Sequence, residues 1–200
     1  MSPEPYVHQV TQANDSQRSV LPCPALSKMG FKNVSVIIDG RLFLGNLVSA
    51  QSTRSLTERR ITHIVSVCVE PIPAHHPQSG IRYLRVPVED KPDEDLLFWM
   101  PHTCRFIDEA LRSGGVVLVH GVHGLSRGAT IMAAYLMWSR RVSAPEAMDM
   151  VRRSREQIWL NESFQYQLSL FELCRYAPSM EEGIYVRWRQ NLDRQRQGRS

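Results

Sequence analysis

The chain has 200 residues, of which 42% are hydrophobic and 22% charged, with a formal net charge of +4. This length and composition are typical of one globular domain with a sizeable core. No stretch approaches the roughly 18 consecutive apolar residues of a membrane span, and the start, MSPEPYVHQVTQ, has no basic or apolar signal-peptide region. We therefore expect a soluble monomer of the cytoplasm, the nucleus or both, without membrane contact.

The first 32 residues are rich in Ser, Pro, Gln and Asn and poor in bulky apolar residues. Such a segment buries too little surface to offset its ordering entropy, so we expect residues 1–32 to be disordered. From residue 34 the run VSVII, the dipeptide Asp39-Gly40 and the run LFL predict two strands around a tight turn. A short helix is expected to follow Asn46 and to end near Arg60.

Two further β-rich runs, THIVSV at 62–67 and IRYLRV at 81–86, are separated by a proline-marked loop. Residues 95–112 have a helical pattern, which we expect Pro101 to interrupt and Gly114-Gly115 to end. The continuous apolar run VVLVH at 116–120 is typical of a central strand buried on both faces.

The glycine-bearing turn GVHGLSRG follows this strand and leads into the apolar helix ATIMAAYLMW. A second helix is expected from Ser143, which has capping-box spacing to Glu146, and a third after Asn161. The pattern predicts an α/β domain over residues 33–177.

Residues 178–200 carry five arginines: Arg187, Arg189, Arg194, Arg196 and Arg199. We expect a solvated, frayed basic tail; a docking or nucleic-acid-binding segment is the alternative. We do not expect the protein as a whole to bind nucleic acid.

The four cysteines, Cys23, Cys68, Cys104 and Cys174, are widely scattered, and neither they nor the histidines have zinc-ligand spacing. We therefore expect no disulfide, no metal and no cofactor.

A buried strand, a turn containing Gly124 and a helix beginning near Arg127 together predict an anion-binding cradle. Loop amides and the helix N-terminus supply positive potential, and a guanidinium can grip two phosphate oxygens.

The nonapeptide HGVHGLSRG, residues 120–128, resembles the H-C-x-x-G-x-S-R-S loop of the cysteine-dependent dual-specificity phosphatases. DGRLFLGN and ITHIVSV resemble the opening strands of that family, VPVEDKPDEDL its acid loop, and AYLM part of its central helix. The resemblance spans about residues 34–174. It implies a central mixed sheet flanked by helices, with the phosphate loop between a central strand and a long helix.

The resemblance also implies the roles of individual residues. Asp90 takes the general-acid position. The implied phosphate-binding residues are Gly121, Val122, His123, Gly124, Leu125, Ser126 and Arg127. His120 and Gly128 would support the loop, and we favour a purely structural role for His120. His123 lies two positions beyond the nucleophile, so we expect it at the rim and not in catalysis.

In such enzymes a cysteine thiolate attacks phosphorus, the aspartic acid protonates the leaving oxygen, and a hydroxyl after the arginine assists the second step. Here Gly121 stands at the cysteine position and Gly128 at the hydroxyl position. Loss of a covalent nucleophile costs several powers of ten in rate. The chain is similar to pseudophosphatases of the family that have glycine in place of the cysteine, although those keep the serine after the arginine.

We therefore expect a catalytically inactive, phosphatase-like protein that binds phosphoserine, phosphothreonine or phosphotyrosine segments as an adaptor or competitor. Its partners would be phosphorylated proteins such as kinases or their substrates. One alternative is an active phosphatase in which Gly121 is an engineered or erroneous residue. Another is an interaction protein that docks through its surface or tail and keeps only a vestigial cradle.

Overall fold

The computed structural model describes residues 33–72 and 80–197, so the predicted disordered segment 1–32 lies outside the described residues. The strands are β1 (Val34–Ile38), β2 (Leu42–Gly45), β3 (His63–Val67), β4 (Arg82–Val86) and β5 (Val117–His120). The helices are α1 (Leu47–Gln51), α2 (Thr53–Glu58), α3 (Met100–Arg112), α4 (Arg127–Arg140), α5 (Ala144–Ser154), α6 (Glu162–Leu173) and α7 (Gly183–Gln197). Within these ranges no helix is long and apolar enough to cross a bilayer.

The strands form one sheet in the order β1-β2-β5-β3-β4. β1 pairs antiparallel with β2, whereas β2, β5, β3 and β4 run parallel to one another. The expected mixed sheet is therefore confirmed, and β5 is central and buried along its whole length, as its apolar run predicts.

Alternation along the strands divides the core into two clusters. Val117 and Val119 of β5 face the larger cluster, which α3 to α6 cover, whereas Leu118 faces a smaller one that includes Ala50 of α1 and Leu56 of α2. Successive strand residues point to opposite faces, so the central strands need apolar side chains at nearly every position. Helices therefore flank the sheet on both sides.

Helix α4 is buried almost all round, with every residue from 127 to 137 inside. A helix apolar on all sides belongs in the interior, and α4 lies between the sheet and the other helices of the larger cluster. Its N-terminus is thereby held at the end of β5, where the predicted cradle lies.

Local sequence signals account for several boundaries. Gly40 adopts a φ of +63° in the turn between β1 and β2. The Glu146 carboxylate accepts a hydrogen bond from the Ser143 amide at 2.9 Å, which completes the predicted capping box of α5. Asn161 caps α6 through its side-chain oxygen.

The expectation that Pro101 interrupts a helix was wrong. A 3₁₀ turn at Leu97–Trp99 precedes α3, and Pro101 lies in the first turn of α3. An amide there has no intrahelical acceptor, so proline removes no hydrogen bond and the helix continues to Arg112.

The arginine-rich segment also differs from the expected frayed tail. Residues 183–197 form α7, which buries Tyr185 and Leu192. The Tyr185 hydroxyl donates to Asp95 Oδ2 at 2.7 Å, and Arg189 pairs with the same carboxylate. Asp95, 90 residues before Tyr185 in the chain, therefore anchors this segment to the domain through two side-chain contacts.

Candidate functional site: the loop between β5 and α4

The loop between β5 and α4 forms a pocket of about 300 Å³ at the carboxyl end of the central strand. Its lining contains all the predicted phosphate-binding residues together with Asp90 and one residue not foreseen from the sequence, Trp159. The fold therefore brings the acid-loop aspartate and the nine-residue motif to one place.

Three carbonyl oxygens of the loop accept hydrogen bonds from residues outside the loop. The Val122 carbonyl accepts from the Leu47 amide at 3.0 Å, that of His123 from Arg155 Nη2 at 3.2 Å, and that of Leu125 from the Trp159 amide at 3.0 Å. In a planar trans peptide the C=O and the following N–H point in opposite directions. The amides of residues 123, 124 and 126 therefore point away from these supports, which is the orientation that an anion cradle requires.

Gly124 is required by both its conformation and its surroundings. Its φ is +69°, and a Cβ at this position would lie 2.3 Å from the Gly45 carbonyl oxygen. A side chain here would strain the backbone and push β2 away. The close contact between the loop and the end of β2 depends on this glycine.

Arg155, at the end of α5, supports the loop from beneath and was not identified from the sequence. It is 6% exposed, and in addition to the His123 carbonyl it contacts Ser35 Oγ at 3.4 Å through Nη1. Burial lowers the pKa of this guanidinium. No local motif marks it, because its partners lie 32 and 120 positions away.

Arg127, the first residue of α4, is 7% exposed and donates through Nη1 to the Val88 carbonyl at 3.1 Å. Two carboxylates flank it: Glu70 Oε2 lies 3.7 Å from Nη1, and Asp90 Oδ2 lies 3.9 Å from Nε. Neither contact is a close bidentate pair, so an incoming oxyanion can still compete for the N–H groups along the edge of the guanidinium. Glu70 was not identified from the sequence.

Asp90 is held over the loop by two hydrogen bonds to its Oδ1. Ser126 Oγ donates at 2.8 Å and Asn161 Nδ2 at 3.2 Å. The Ser126 hydroxyl points to Asp90 and makes no side-chain cap on α4. A helix N-terminus that its N-cap side chain leaves uncapped favours binding of an anion there.

His120, the last residue of β5, is completely buried. Its Nδ1 lies 3.1 Å from the Gly121 carbonyl oxygen and its Nε2 lies 2.8 Å from Ser66 Oγ. Burial lowers the pKa of His120 to about 4, so the ring is neutral at pH 7, with Nδ1 donating and Nε2 accepting. These contacts are those of a residue that holds the strand end and the loop together.

Gly121 and Gly128 face each other where the loop meets α4. A Cβ on Gly121 would lie 3.4 Å from the Gly128 nitrogen, whereas a Cβ on Gly128 would lie 2.9 Å from the Gly121 nitrogen. Position 121 therefore has room for a side chain at ordinary contact distance, but position 128 has none without backbone movement. His123 is exposed at the rim, as its position predicts.

Comparison with known proteins assigns the domain. The family model for the dual specificity phosphatase catalytic domain matches residues 42–174. The chain belongs to this family. The resemblance drawn from the loop and its flanking segments is thus confirmed, and α7 lies beyond the matched residues.

Among relatives, dual specificity protein phosphatase 1B of Arabidopsis thaliana is 38% identical over 143 residues, covering 72% of this chain and 84% of that protein. Dual specificity protein phosphatase Mpk3 of Drosophila melanogaster is 37% identical over 137 residues, covering 68% of this chain but only 33% of Mpk3. The human tyrosine phosphatase-like serine/threonine/tyrosine-interacting protein superposes with a TM-score of 0.66 at 34% identity, covering 72% of this chain and 98% of that structure.

Proposed function

We propose that this protein is a catalytically inactive member of its family that binds phosphorylated Ser, Thr or Tyr segments as an adaptor or competitor. The observation that carries the proposal is a pocket that brings together Arg127, the loop before it and Asp90, with glycine at the position that the family resemblance gives to the nucleophile. Partners would be phosphorylated proteins such as kinases or their substrates, bound by a monomer in the cytoplasm or nucleus.

Covalent turnover needs a nucleophile in line below phosphorus, and the described residues that line the pocket include no cysteine. Cys68, at the end of β3, is completely buried, and burial raises the pKa of its thiol. Ser126 Oγ is engaged by Asp90, and His123 projects at the rim. Asp90 could still donate a proton, but a general acid alone does not replace the missing attack.

Binding needs only the amides, the helix N-terminus and the guanidinium, none of which depends on a thiol. A thiolate beneath a phosphate dianion is a like charge, so its absence removes repulsion and leaves space above Gly121. The Val122, His123 and Leu125 carbonyls accept hydrogen bonds from outside the loop. These bonds support the proposal that the loop is preorganised for an anion.

The alternative of an active phosphatase with an unnatural Gly121 receives less support. Gly128 is a second departure from the family loop, and it lies close to Gly121 where a Cβ would not fit. Two departures within one loop favour a natural origin for both, since a single error or engineered change would alter one position. Reading the natural gene at codon 121 decides this point.

In the second alternative the cradle is vestigial, and partners bind to the surface of the domain or to the tail. Part of the tail's basic charge is used within the domain, because Arg189 pairs with Asp95 and Arg196 bonds the Asp93 carbonyl. Arg187 and Arg194 are exposed on α7. In this alternative they would form the basic surface on which a partner docks.

The test is binding of matched phosphorylated and unphosphorylated peptides to the purified protein. We expect phosphate-dependent binding that Arg127→Ala weakens by tenfold or more, since hydrogen bonds to charged groups contribute about 1.5–3 kcal/mol each. Arg127→Lys, which keeps the charge but loses the planar fork, should give an intermediate loss, and the exposed Arg194→Ala should bind like wild type. Unchanged binding by both Arg127 variants would favour the vestigial cradle.

Turnover is measured in the same preparation with an aryl phosphate and a phosphopeptide. We expect no catalytic hydrolysis by the wild type. Hydrolysis at the rates ordinary for dual-specificity phosphatases would reject the proposal.

A further inference from the structure

Trp159 is 79% exposed, which makes it the most exposed large apolar side chain in the part of the chain that the structure describes. It lines the same pocket as Arg127 and the loop. A lone exposed apolar residue is ordinary, but a tryptophan at the edge of a polar binding pocket is typical of a recognition contact.

The position of Trp159 is set by its neighbours on both sides. Ile158 and Leu160 are buried, at 6% and 2% exposed, and the Trp159 amide donates to the Leu125 carbonyl of the phosphate loop at 3.0 Å. Two residues on, Asn161 bonds Asp90 and caps α6. The backbone of Trp159 is therefore anchored to the loop, to the core and to the acid-loop residue, while its ring remains in solvent.

Phosphotyrosine, on the one hand, and phosphoserine or phosphothreonine, on the other, would place different chemical groups at the rim of the pocket. In phosphotyrosine a phenyl ring is bonded directly to the phosphate oxygen, so a phosphate on Arg127 places that ring at the pocket mouth. In phosphoserine and phosphothreonine only the Cβ carbon separates the phosphate oxygen from the peptide backbone. An indole at the mouth gains an aromatic partner only from the first ligand.

We propose that Trp159 makes the cradle select phosphotyrosine over phosphoserine and phosphothreonine by packing its indole against the phenyl ring. The inference rests on the proposed function, because it requires phosphate to bind at Arg127. Aromatic pairs contribute enough beyond simple burial to change affinity by about three- to tenfold.

The test uses three peptides of one flanking sequence, free of other aromatic or basic residues, that carry phosphotyrosine, phosphoserine or phosphothreonine. We expect the wild type to prefer the phosphotyrosine peptide, and Trp159→Ala to weaken that peptide about three- to tenfold while the other two change less than about twofold. Trp159→Phe should restore most of the preference. Tyr166→Ala is the matched control, since Tyr166 is an aromatic residue on α6, 56% exposed, that does not line the cradle pocket.

The outcomes separate this inference from the proposed function. Equal wild-type affinity for the three peptides, or an equal loss of all three in Trp159→Ala, overturns the role of Trp159 while phosphate-dependent binding through Arg127 stands. If binding shows no dependence on phosphate or on Arg127, both proposals fail. A melting temperature of Trp159→Ala within a few degrees of wild type shows that any loss of affinity arises at the pocket.

Discussion

The amide nitrogen of Gly121 lies 2.9 Å from the point that a Cβ on Gly128 would occupy. The first turn of α4 is thus packed against the start of the phosphate loop more closely than a side chain at position 128 allows. The two glycines, which the sequence presents as separate chemical losses, form one contact in the structure.

Gly128→Ser should therefore destabilise the domain by about 1–3 kcal/mol, the usual range for an overpacked site. Urea denaturation measures the change. Gly183→Ser is the matched control, because nothing lies within 4 Å of a Cβ there and Gly183 also begins a helix. Equal stability of the two variants would contradict the close packing of Gly128 against Gly121.

Gly121→Cys should leave the fold intact, because the nearest atoms to its Cβ, the Gly128 nitrogen, the Val67 carbonyl oxygen and the Arg127 Cβ, lie at ordinary contact distances of 3.4, 3.6 and 3.7 Å. The new thiol would lie near Arg127 and the α4 N-terminus, which favour the thiolate. We expect attack on an aryl phosphate followed by accumulation of phosphocysteine, since residue 128 supplies no hydroxyl for the second step. Mass spectrometry would detect the trapped phosphoryl group, whereas steady turnover without it would argue against this role for Gly128.

His120 should make stability depend on pH in a defined window. Burial lowers the pKa of His120 to about 4. The hydrogen bond to the Gly121 carbonyl acts in the opposite direction, and the positive charge of Arg127 lowers the pKa further. The unfolded chain takes up this proton at about pH 6.5, so the stabilisation is complete above that pH and falls as pH drops towards 4. The loss between pH 6.5 and 5 should be about 1–2 kcal/mol.

The measurement is urea denaturation of wild type and His120→Gln at pH 7.5, 6.5 and 5. The variant is expected to be less stable at pH 7.5 but to lose less of its stability on acidification. Parallel pH profiles for the two proteins would show that His120 is not the titrating group.

Tyr185→Phe should destabilise the domain by about 1.5–3 kcal/mol, the cost of losing a hydrogen bond to a charged group. The hydroxyl is 2.7 Å from Asp95 Oδ2, and both side chains are buried. Tyr166→Phe, at an exposed position of α6, should change stability by less than about 0.5 kcal/mol. A similar melting temperature for the two variants would mean that the bond from Tyr185 to Asp95 does not stabilise the domain.

Several features of the fold could be predicted because their causes lie close together in the chain. The buried run before the loop, the turn at Gly40 and the capping box of Ser143 and Glu146 each depend on a few consecutive residues. The motif from His120 to Gly128 likewise located the pocket, since a strand, a tight turn and a helix N-terminus in sequence order already imply a cradle. Pro101 was misinterpreted because its effect depends on where the helix starts, and that boundary is the less predictable feature.

The rest of the site depends on contacts between distant parts of the chain. Glu70 beside Arg127 and Trp159 at the rim have no local pattern that marks them. Helix α7 shows the same limit, because as an isolated segment its arginines and polar residues are typical of a solvated tail, and its order depends on Asp95.

The sequence by itself determined that glycine stands at positions 121 and 128 of a strand–turn–helix motif that predicts an anion-binding loop, because both are properties of a few consecutive residues. Only the tertiary structure decided how Gly121 and Gly128 pack together, which carboxylates face Arg127 and which aromatic residue stands at the pocket mouth. These relationships arise when strands and helices far apart in the chain are brought together around one core, where burial and close packing, and not local spacing, select the neighbours.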